Sequence, residues 1–299
     1  FALRWCEQVI DFLEMVVIPS HQTPDDDEKT NTTPCRVHLV GNSVGGHLAA
    51  HVALRRPDLV ASLCLLNPTP VWGSKLPGWN GHLPAPAIPK VVGRYLFDWI
   101  RDPQTIDKVL EAVYTSPLAY SDDDLMQKIR GATMGDGGHA AFASILWSPP
   151  LKVNNNGGTR FGDCLKSLPP SLDVCLVFGA DDPYCKPAFA VPMLKALRER
   201  RPWGREAAAT KPAALPMDPV QRYIQISNTG HCPNHEAPKA VGHLVRAWTG
   251  ATDRSPKGLM LSGSFVEEWV EPNKPQTLEE LDANAIPRSW ADRIVARFL

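Results

Sequence analysis

Apolar and polar positions along the chain follow two periods, which together predict short strands separated by helices. Strand-like segments occupy residues 36–41, 59–66, 173–179 and 220–226, and those at 59–66 and 173–179 have the near-continuous apolar composition of strands buried on both faces. Helical periodicity occupies residues 1–18, 44–56, 89–100, 103–114, 122–131, 187–200 and 236–249. Strands that alternate with helices in this way are typical of an α/β protein with a mostly parallel sheet.

Polar stretches separate some of these elements and are predicted to be surface loops. Residues 19–34 are acidic and contain several prolines, and residues 201–219 combine proline, alanine and charge. Residues 154–158 read Asn-Asn-Asn-Gly-Gly, a composition that favours a flexible loop. Residues 251–299 form an additional segment to which the pattern alone assigns no role.

The composition changes after Asn67, where prolines and aromatic residues become frequent. We interpret this change as the start of a helical cap inserted between two strands of the core. The predicted organisation is a first part of the core at residues 1–67, the cap at 68–165, the rest of the core at 166–250 and a C-terminal extension at 251–299. Aromatic residues of the cap, such as Trp72, Trp99 and Phe142, are predicted to line an apolar substrate slot, although packing within the cap explains any one of them.

Composition and charge narrow the class of protein. The chain has 299 residues, 43% of them hydrophobic, and a net charge of −1, which predicts a large globular domain and no nucleic-acid partner. No apolar run reaches the roughly 18 residues of a membrane span, and no targeting segment is recognisable. Seven scattered cysteines without a Cys-x-x-Cys pair predict reduced thiols in an intracellular compartment rather than disulfides or a zinc site.

The motif with the clearest chemistry joins the first predicted strand to the helix that follows. The segment Gly41-Asn42-Ser43-Val44-Gly45 matches Gly-x-Ser-x-Gly, which forms a nucleophile elbow in a strand–turn–helix context. Side chains at Gly41 and Gly45 are expected to clash in so tight a turn. The turn would present Ser43 Oγ at its tip, and the Val44 N–H would face a developing oxyanion. The pentapeptide alone is equally explained as an ordinary glycine-serine turn.

Two residues further along the chain complete the predicted chemistry. A serine hydroxyl needs a base, and the base needs an acid that orients it. His231 follows the last predicted core strand and Asp182 follows the strand before it, with Asp181 as second choice for the acid. Alone, Asp182 is equally explained as a turn cap, and His231 as a loop histidine. The order Ser43, Asp182, His231 is that of α/β-hydrolases and predicts a catalytic triad that needs no cofactor and no metal.

Three other histidines are predicted to have structural roles. His47 and His51 are four residues apart on a predicted helix, as two metal ligands would be, but no glutamate lies between them and no third ligand is evident. A position on the helix surface, or burial where the helix packs, explains these two histidines better than metal binding does. His235 is predicted to cap or solvate the last core helix.

Longer segments resemble the pheophytinases of plants and algae. The matching segments are residues 40–46, 65–73, 141–145, 178–183 and 230–238. The most specific are Asn-Pro-Thr-Pro-Val-Trp-Gly at residues 67–73 and Gly-His-Cys-Pro at residues 230–233, and the likeness covers roughly residues 1–250. It implies an α/β-hydrolase fold and a chloroplast serine esterase that removes phytol from pheophytin, using Ser43, Asp182 and His231.

The resemblance also implies partners and leaves alternatives open. The substrate would be pheophytin or a related phytyl-ester pigment, reached through peripheral contact with the thylakoid membrane. Asn42 beside the nucleophile and the cap residues Trp72, Trp99 and Phe142 are the predicted substrate-binding residues. A chlorophyllase, a lipid or thioester hydrolase using the same triad, and a non-catalytic binding module are the alternatives.

The position of the elbow leads to one more expectation. An α/β-hydrolase has several strands before the elbow, and the loop after its third strand supplies a second oxyanion donor. Few residues precede Ser43, so we predict that N-terminal strands of the sheet are missing from this chain. On its own such a chain is expected to expose a sheet edge and to aggregate.

Overall fold

The computed structural model describes residues 2–20, 35–72, 74, 81–121, 123–153, 158–200, 221–250, 262–267 and 274–295. Most of the three predicted polar loops, namely residues 21–34, 154–157 and 201–219, lies outside these ranges. Among the described residues, no helix is both long and apolar enough to cross a membrane.

The described elements are strands and helices in alternation over most of the chain. The strands are β1 (Val37–Asn42), β2 (Val60–Leu66), β3 (Asp173–Gly179), β4 (Gln221–Ile226), β5 (Gly263–Phe265) and β6 (Gln276–Glu280). The helices are α1 (Ala2–Phe12), α2 (Ile18–Ser20), α3 (Val44–Arg55), α4 (Pro89–Ile100), α5 (Pro103–Val113), α6 (Asp123–Ala132), α7 (Gly138–Trp147), α8 (Phe161–Ser167), α9 (Ala190–Arg198), α10 (Pro233–Glu236), α11 (Pro238–Gly250) and α12 (Trp290–Val295). The four core strands therefore lie where the sequence pattern predicted them.

The described strands form one sheet in the order β1-β2-β3-β4-β6-β5. The first four strands are parallel, whereas β6 pairs antiparallel with both β4 and β5. In register, Asn42 lies beside Leu66, Leu66 beside Val177 and Gly179 beside Ile226. The carboxyl ends of all four parallel strands consequently meet at one edge, where open α/β sheets place their ligand sites.

Helices cover both faces of the parallel part of the sheet. On one face α1, α3, α8 and α9 pack over side chains such as Leu65, Leu176 and Phe178, forming the larger core cluster. On the other face α11 packs over Leu66, Val177 and Ile226, and its Trp248 indole donates to Ser62 Oγ at 3.0 Å. Strands enclosed on both sides must be apolar on both faces, which explains the continuous runs in the sequence.

β1 lies at one edge of this sheet, and Val40 on it is 43% exposed. An exposed strand edge offers unpaired backbone groups to other chains. The expectation that the chain aggregates on its own rests on this edge and stays a prediction.

Helix boundaries differ from the predicted ones where the backbone departs from regular α geometry. The first helix continues through a π-helical turn at Leu13–Val17 and on to Ser20, where a loop was predicted from residue 19. The closing helix predicted at residues 236–249 is α11, which begins at Pro238, and Glu236 is instead the last residue of the short α10. Pro238 causes the break, because a proline has no N–H for the helical ladder.

Helices α4 to α7, between β2 and β3, pack mainly on one another. α4 and α7 cross closely at Gly93, whose added Cβ would lie 3.0 Å from the Trp147 ring and 3.1 Å from Ala143 Cβ. Phe97 and Phe142 pack beside this crossing, with ring centroids 5.7 Å apart. The assignment of these helices to a cap stays a prediction. The boundary at residue 165 falls inside α8, whose apolar side chains belong to the larger core cluster.

The C-terminal extension joins the sheet rather than standing apart from it. The buried Arg222 of β4 donates to Glu280 of β6 at 2.6 Å. The buried Glu267 accepts from the Lys239 backbone N–H at the start of α11 at 2.7 Å. These contacts tie β6 and the residues that follow β5 to the core.

His47 and His51 are both buried. Of the two predicted alternatives, they therefore take part in the packing of the helix and do not lie on its surface. The His47 ring stacks on Phe161 with centroids 4.9 Å apart, and Nδ1 donates to the Thr69 carbonyl at 3.1 Å. Burial lowers the pKa of His47 to about 4 and also lowers that of His51. Both rings are therefore neutral in the folded protein at neutral pH.

This burial predicts an acid-sensitive fold. The unfolded chain binds protons at His47 from about pH 6.5 downwards, whereas the folded chain resists until about pH 4. The contribution of His47 to the free energy of unfolding is therefore fully present above about pH 6.5. Between that pH and about pH 4, about 3 kcal/mol of it is lost. Urea unfolding at about pH 7 and about pH 4.5 measures the loss. His47→Asn keeps an N–H donor but does not titrate, so an equally steep acid loss in that variant would contradict the assignment.

Candidate active site

The elbow serine occupies a strained turn between β1 and α3. Ser43 has φ 51° and ψ −116°, a conformation that residues with a side chain rarely adopt. The turn is held by the Ser43 N–H, which donates to the Leu66 carbonyl at 2.9 Å. The Ser43 carbonyl accepts from the N–H groups of His47 and Thr69, each at 3.2 Å. Backbone hydrogen bonds with α3 and with the end of β2 and the segment after it thus stabilise the conformation that exposes the Ser43 hydroxyl at the turn.

Close backbone packing leaves no room for a side chain at Gly41 and Gly46, whereas the sequence predicted this for Gly41 and Gly45. A Cβ at Gly41 would lie 2.4 Å from the Gly45 carbonyl oxygen, which confirms the expected clash there. At Gly45 nothing lies within 4 Å of the added Cβ, so the predicted clash at this residue is wrong. The second close approach is at Gly46, whose Cβ would lie 2.9 Å from the Gly41 carbonyl oxygen. The Gly45 side of the turn faces outward.

Gly41 and Gly45 form a matched pair for testing the turn. Gly41→Ala is expected to destabilise the fold by at least about 2 kcal/mol, because the new methyl group must displace backbone atoms. Gly45→Ala is expected to change stability by less than about 1 kcal/mol, because the space is open and alanine favours a helix. Thermal unfolding of both variants measures the difference. Equal melting temperatures would contradict the described turn.

The three residues predicted as a triad lie together at the carboxyl edge of the sheet. His231 Nε2 lies 2.9 Å from Ser43 Oγ, and His231 Nδ1 lies 2.8 Å from Asp182 Oδ2. A carboxylate only accepts, so Nδ1 carries the hydrogen and Nε2 is free to accept from the serine hydroxyl. In this arrangement the imidazole can take a proton from the hydroxyl while the carboxylate stabilises the imidazolium.

The Asp182 carboxylate is held from both sides. Its Oδ1 accepts from the backbone N–H groups of Tyr184 at 2.8 Å and Cys185 at 2.9 Å, which leaves Oδ2 for His231. The side chain of Asp182 is buried, whereas Asp181 is exposed and its backbone N–H donates to the Thr229 carbonyl. The geometry therefore selects Asp182 over Asp181 as the partner of the histidine.

The backbone around His231 is fixed by contacts from three other parts of the chain. The His231 N–H donates to the Val113 carbonyl at the end of α5 at 2.9 Å. The His231 carbonyl accepts from Asn42 Nδ2 at 3.0 Å. The buried Glu236 accepts from the Gly230 N–H at 3.0 Å and from the Thr115 N–H and hydroxyl. Burial raises the pKa of Glu236, and these donors offset part of that effect.

Asn67 connects two loops of the site through its side chain. It is fully buried, follows β2 directly and has φ 40°. Its Oδ1 accepts from the Gly179 N–H at 2.8 Å, and its Nδ2 donates to the Gly230 carbonyl at 2.9 Å. One amide thus joins the strand that leads to Asp182 to the turn that carries His231. The sequence pointed to this residue only as part of the Asn-Pro-Thr-Pro segment.

The C-terminal extension reaches the same turn. Gln276 of β6 is fully buried, and its Nε2 donates to the Glu236 carbonyl at 3.0 Å. Asn228, before the histidine turn, donates through Nδ2 to the Pro275 carbonyl at 3.0 Å. The extension, to which sequence alone gave no role, therefore packs behind the turn of His231.

One group of potential metal ligands occurs among the described residues. Asp182, Cys185 and His231 have ligand atoms within 4.8 Å of one another. The aspartate and histidine are already hydrogen-bonded to each other, and burial raises the pKa of the Cys185 thiol so that it stays protonated. The group is better described as the acid–base pair with a buried thiol beside it.

The predicted substrate-binding residues are dispersed. Asn42 uses its amide nitrogen to hold the His231 carbonyl, and Phe142 packs against Phe97 within the helices. Trp72 follows β2 and is partly buried, and Trp99 lies on the outer side of α4 and is more than half exposed. Their contact with a substrate stays a prediction, as does the role of the Val44 N–H. As the first residue of α3, Val44 has an N–H that intrahelical bonding does not use.

Comparisons with known proteins agree on the family. The model of the alpha/beta hydrolase family matches residues 4–243. The chloroplastic pheophytinase of Arabidopsis thaliana is 28% identical over 256 residues, which span 79% of this chain and 46% of that protein. A 2-hydroxy-6-oxononadienedioate/2-hydroxy-6-oxononatrienedioate hydrolase of Paraburkholderia xenovorans is 32% identical over 166 residues, which span 54% of this chain and 50% of that protein. The chain thus spans about half the length of each relative.

Solved structures show the same architecture. A meta-cleavage product hydrolase from Pseudomonas fluorescens has a TM-score of 0.53 at 14% identity, covering 84% of this chain and 72% of its own. A serine hydrolase from the bacterium Cycloclasticus zankles has a TM-score of 0.52 at 16% identity, covering 84% of this chain and 71% of its own. At identities this low, structural similarity shows a shared fold and does not indicate a shared substrate. The strand order, the elbow and the family match lead to one conclusion, that this chain belongs to the alpha/beta hydrolase family and has its fold.

Proposed function

We propose that the protein is a serine ester hydrolase that removes phytol from pheophytin and releases pheophorbide. The observation that carries this proposal is the Ser43–His231–Asp182 chain of hydrogen bonds at the carboxyl edge of the sheet. The substrate is proposed from the likeness to the pheophytinase of Arabidopsis thaliana, which also supports a chloroplast location.

In the first half of the reaction Ser43 Oγ attacks the carbonyl carbon of the ester. His231 Nε2 takes the hydroxyl proton, and Asp182 stabilises the resulting imidazolium. The carbonyl oxygen becomes an oxyanion, to which the Val44 N–H donates. The intermediate collapses as the bond to the phytyl oxygen breaks, and His231 gives its proton to that oxygen, so phytol leaves and an acyl-enzyme remains.

The second half reverses these proton transfers with water. His231 Nε2 takes a proton from a water molecule as its oxygen attacks the acyl carbon. The bond to Ser43 Oγ then breaks, the serine recovers its proton from His231, and pheophorbide is released. These steps use only side chains and backbone of the chain together with water.

The helices between β2 and β3 are proposed to bind the apolar parts of the substrate. Trp72 and Phe142 are partly buried there, and Trp99 is available from the outer side of α4. Because phytyl esters partition into lipid, we also propose that the protein meets its substrate through peripheral contact with a membrane.

Incubation with pheophytin a and chlorophyll a separately, followed by chromatography of the pigments, tests the proposed substrate. Pheophorbide from pheophytin that disappears in Ser43→Ala is the expected result. Chlorophyllide formed as well would point to a broader chlorophyllase. Turnover of p-nitrophenyl esters or acyl-CoA with neither pigment processed would overturn the proposed substrate in favour of a lipid or thioester hydrolase.

The bacterial relative suggests a second candidate function. Its 32% identity over 166 residues favours, for this chain, hydrolysis of a compound of the kind in that enzyme's name. The loss of such a compound is followed by chromatography with the same Ser43→Ala control. Faster turnover of a 2-hydroxy-6-oxo-dienoate than of pheophytin would favour this second function.

A further inference from the structure

The outer side of α4 carries a continuous row of exposed apolar side chains. Ile88, directly before the helix, and Val91, Tyr95 and Trp99 on it are each 58% to 73% exposed. They are spaced three, four and four residues apart, so they align along one face of the helix. These four residues are called the α4 stripe below.

The buried side of the same helix shows that the stripe faces away from the fold. Gly93 and Phe97 are the buried residues of α4, and they pack against α7. At 3.6 residues per turn these positions lie about half a turn from Val91 and Tyr95. The helix thus has apolar residues on two opposite sides, of which only one is used within the described residues.

Positive charge lies along one flank of the α4 stripe. A surface depression of about 550 Å³ is lined by Lys90, Val91, Arg94, Tyr95, Asp98 and His139. Its one acidic residue, Asp98, pairs with Arg101 at 2.6 Å. Over the described part of the chain, no ion pair engages the exposed Lys90 or Arg94. Lys90, Arg94 and His139 are therefore positioned to bind an anion beside an apolar surface.

We infer that the outer side of α4 is a docking surface for an anionic lipid bilayer. A 12-residue helix is about 18 Å long and can lie in the plane of the headgroups with its apolar side inserted. Tyrosine and tryptophan are the residues that favour this interface, since their rings have a polar and an apolar part. Lys90 and Arg94 would reach lipid phosphates beside the inserted rings. The inference rests on the peripheral membrane contact proposed above, and it names the surface.

Charge favours a lipid surface over a second copy of the chain. In a symmetric antiparallel pair of α4 stripes the two sets of cations would lie on the same side of the contact, which is unfavourable. A bilayer with phosphate headgroups complements both the charge and the apolar row. Each cation close to an anionic bilayer contributes about 1 kcal/mol of binding.

Vesicle sedimentation with the full chain tests the inference without requiring turnover. The probes are vesicles of phosphatidylcholine alone and of phosphatidylcholine with about one third phosphatidylglycerol. Lys90→Gln with Arg94→Gln removes two such contributions and is expected to lower the partition coefficient on the anionic vesicles about thirtyfold. Val91→Ser with Tyr95→Ser is expected to lower it at least as much. Trp290→Ser removes a tryptophan that lies outside the stripe and is even more exposed, and it serves as the control.

The outcomes separate this inference from the proposed esterase activity. The inference would be supported if the unaltered chain prefers anionic vesicles, both double variants lose this preference and Trp290→Ser retains it. Failure of the unaltered chain to bind, or equal loss in the Trp290→Ser control, would overturn it, whatever the pigment assay shows. Light scattering that finds a dimer dissociated by Val91→Ser with Tyr95→Ser would assign the stripe to a second copy. Thermal unfolding confirms that each variant is folded, and Trp99 is left unchanged because it is also a predicted substrate-binding residue.

Discussion

Asp182→Asn is expected to lower kcat/KM for ester hydrolysis by about 10⁴-fold, although the substitution preserves shape. The reason lies in how the carboxylate is held. Two backbone N–H groups, those of Tyr184 and Cys185, point at Oδ1, so the amide oxygen of an asparagine takes that place. The NH₂ group then faces His231 Nδ1 and donates to it, which moves the ring hydrogen to Nε2. With a hydrogen there, His231 can no longer accept the proton of Ser43.

Asp181→Asn is the matched control, because Asp181 is the neighbouring acid and is exposed. It is expected to keep kcat/KM within about threefold, since it removes a solvated charge only. Steady-state kinetics on a p-nitrophenyl ester measures both variants, and Ser43→Ala sets the background. If Asp181→Asn lost as much activity as Asp182→Asn, the assignment of the acid would be contradicted.

Asn67→Ala is expected to destabilise the protein by about 3–7 kcal/mol and to reduce activity as well. The substitution leaves the Gly179 N–H and the Gly230 carbonyl without their shared partner in a fully buried place. Each unpaired buried group costs about 1–3 kcal/mol. Alanine must also adopt φ 40°, which adds about 1 kcal/mol of strain. Denaturant unfolding measures the total.

Asn67→Gly separates the two contributions. Glycine adopts positive φ without strain but makes neither side-chain hydrogen bond, so it is expected to be about 1 kcal/mol less destabilising than alanine. Activity is expected to fall in both variants, because Asp182 and His231 lose their common support. An alanine variant within about 1 kcal/mol of the unaltered protein would show that Asn67 does not join the two loops.

Much of the site could be predicted because its residues follow strands. A tight turn after a buried strand leaves a local signature, and parallel strands bring their carboxyl ends to one edge. Ser43, Asp182 and His231 each follow such a strand, so their order in the sequence was enough to predict that they meet. Their hydrogen bonds confirm that prediction of proximity, whereas their catalytic role stays proposed.

The supporting residues could not be predicted in the same way. Asn67, Glu236 and Gln276 act through side chains that contact partners far away in the sequence, and no local periodicity records such contacts. The error at Gly45 has another cause. The motif has a glycine at both ends, but only the packed side of the turn, at Gly41 and Gly46, is closed by backbone.

The most direct test of the account is whether Ser43 is an activated nucleophile. The folded protein would be treated with a fluorophosphonate probe, digested and analysed by mass spectrometry. The account predicts a single adduct on the peptide that contains Ser43, abolished in Ser43→Ala and strongly slowed in Asp182→Asn. A folded protein that shows no adduct on Ser43 would contradict it and favour a non-catalytic binding module.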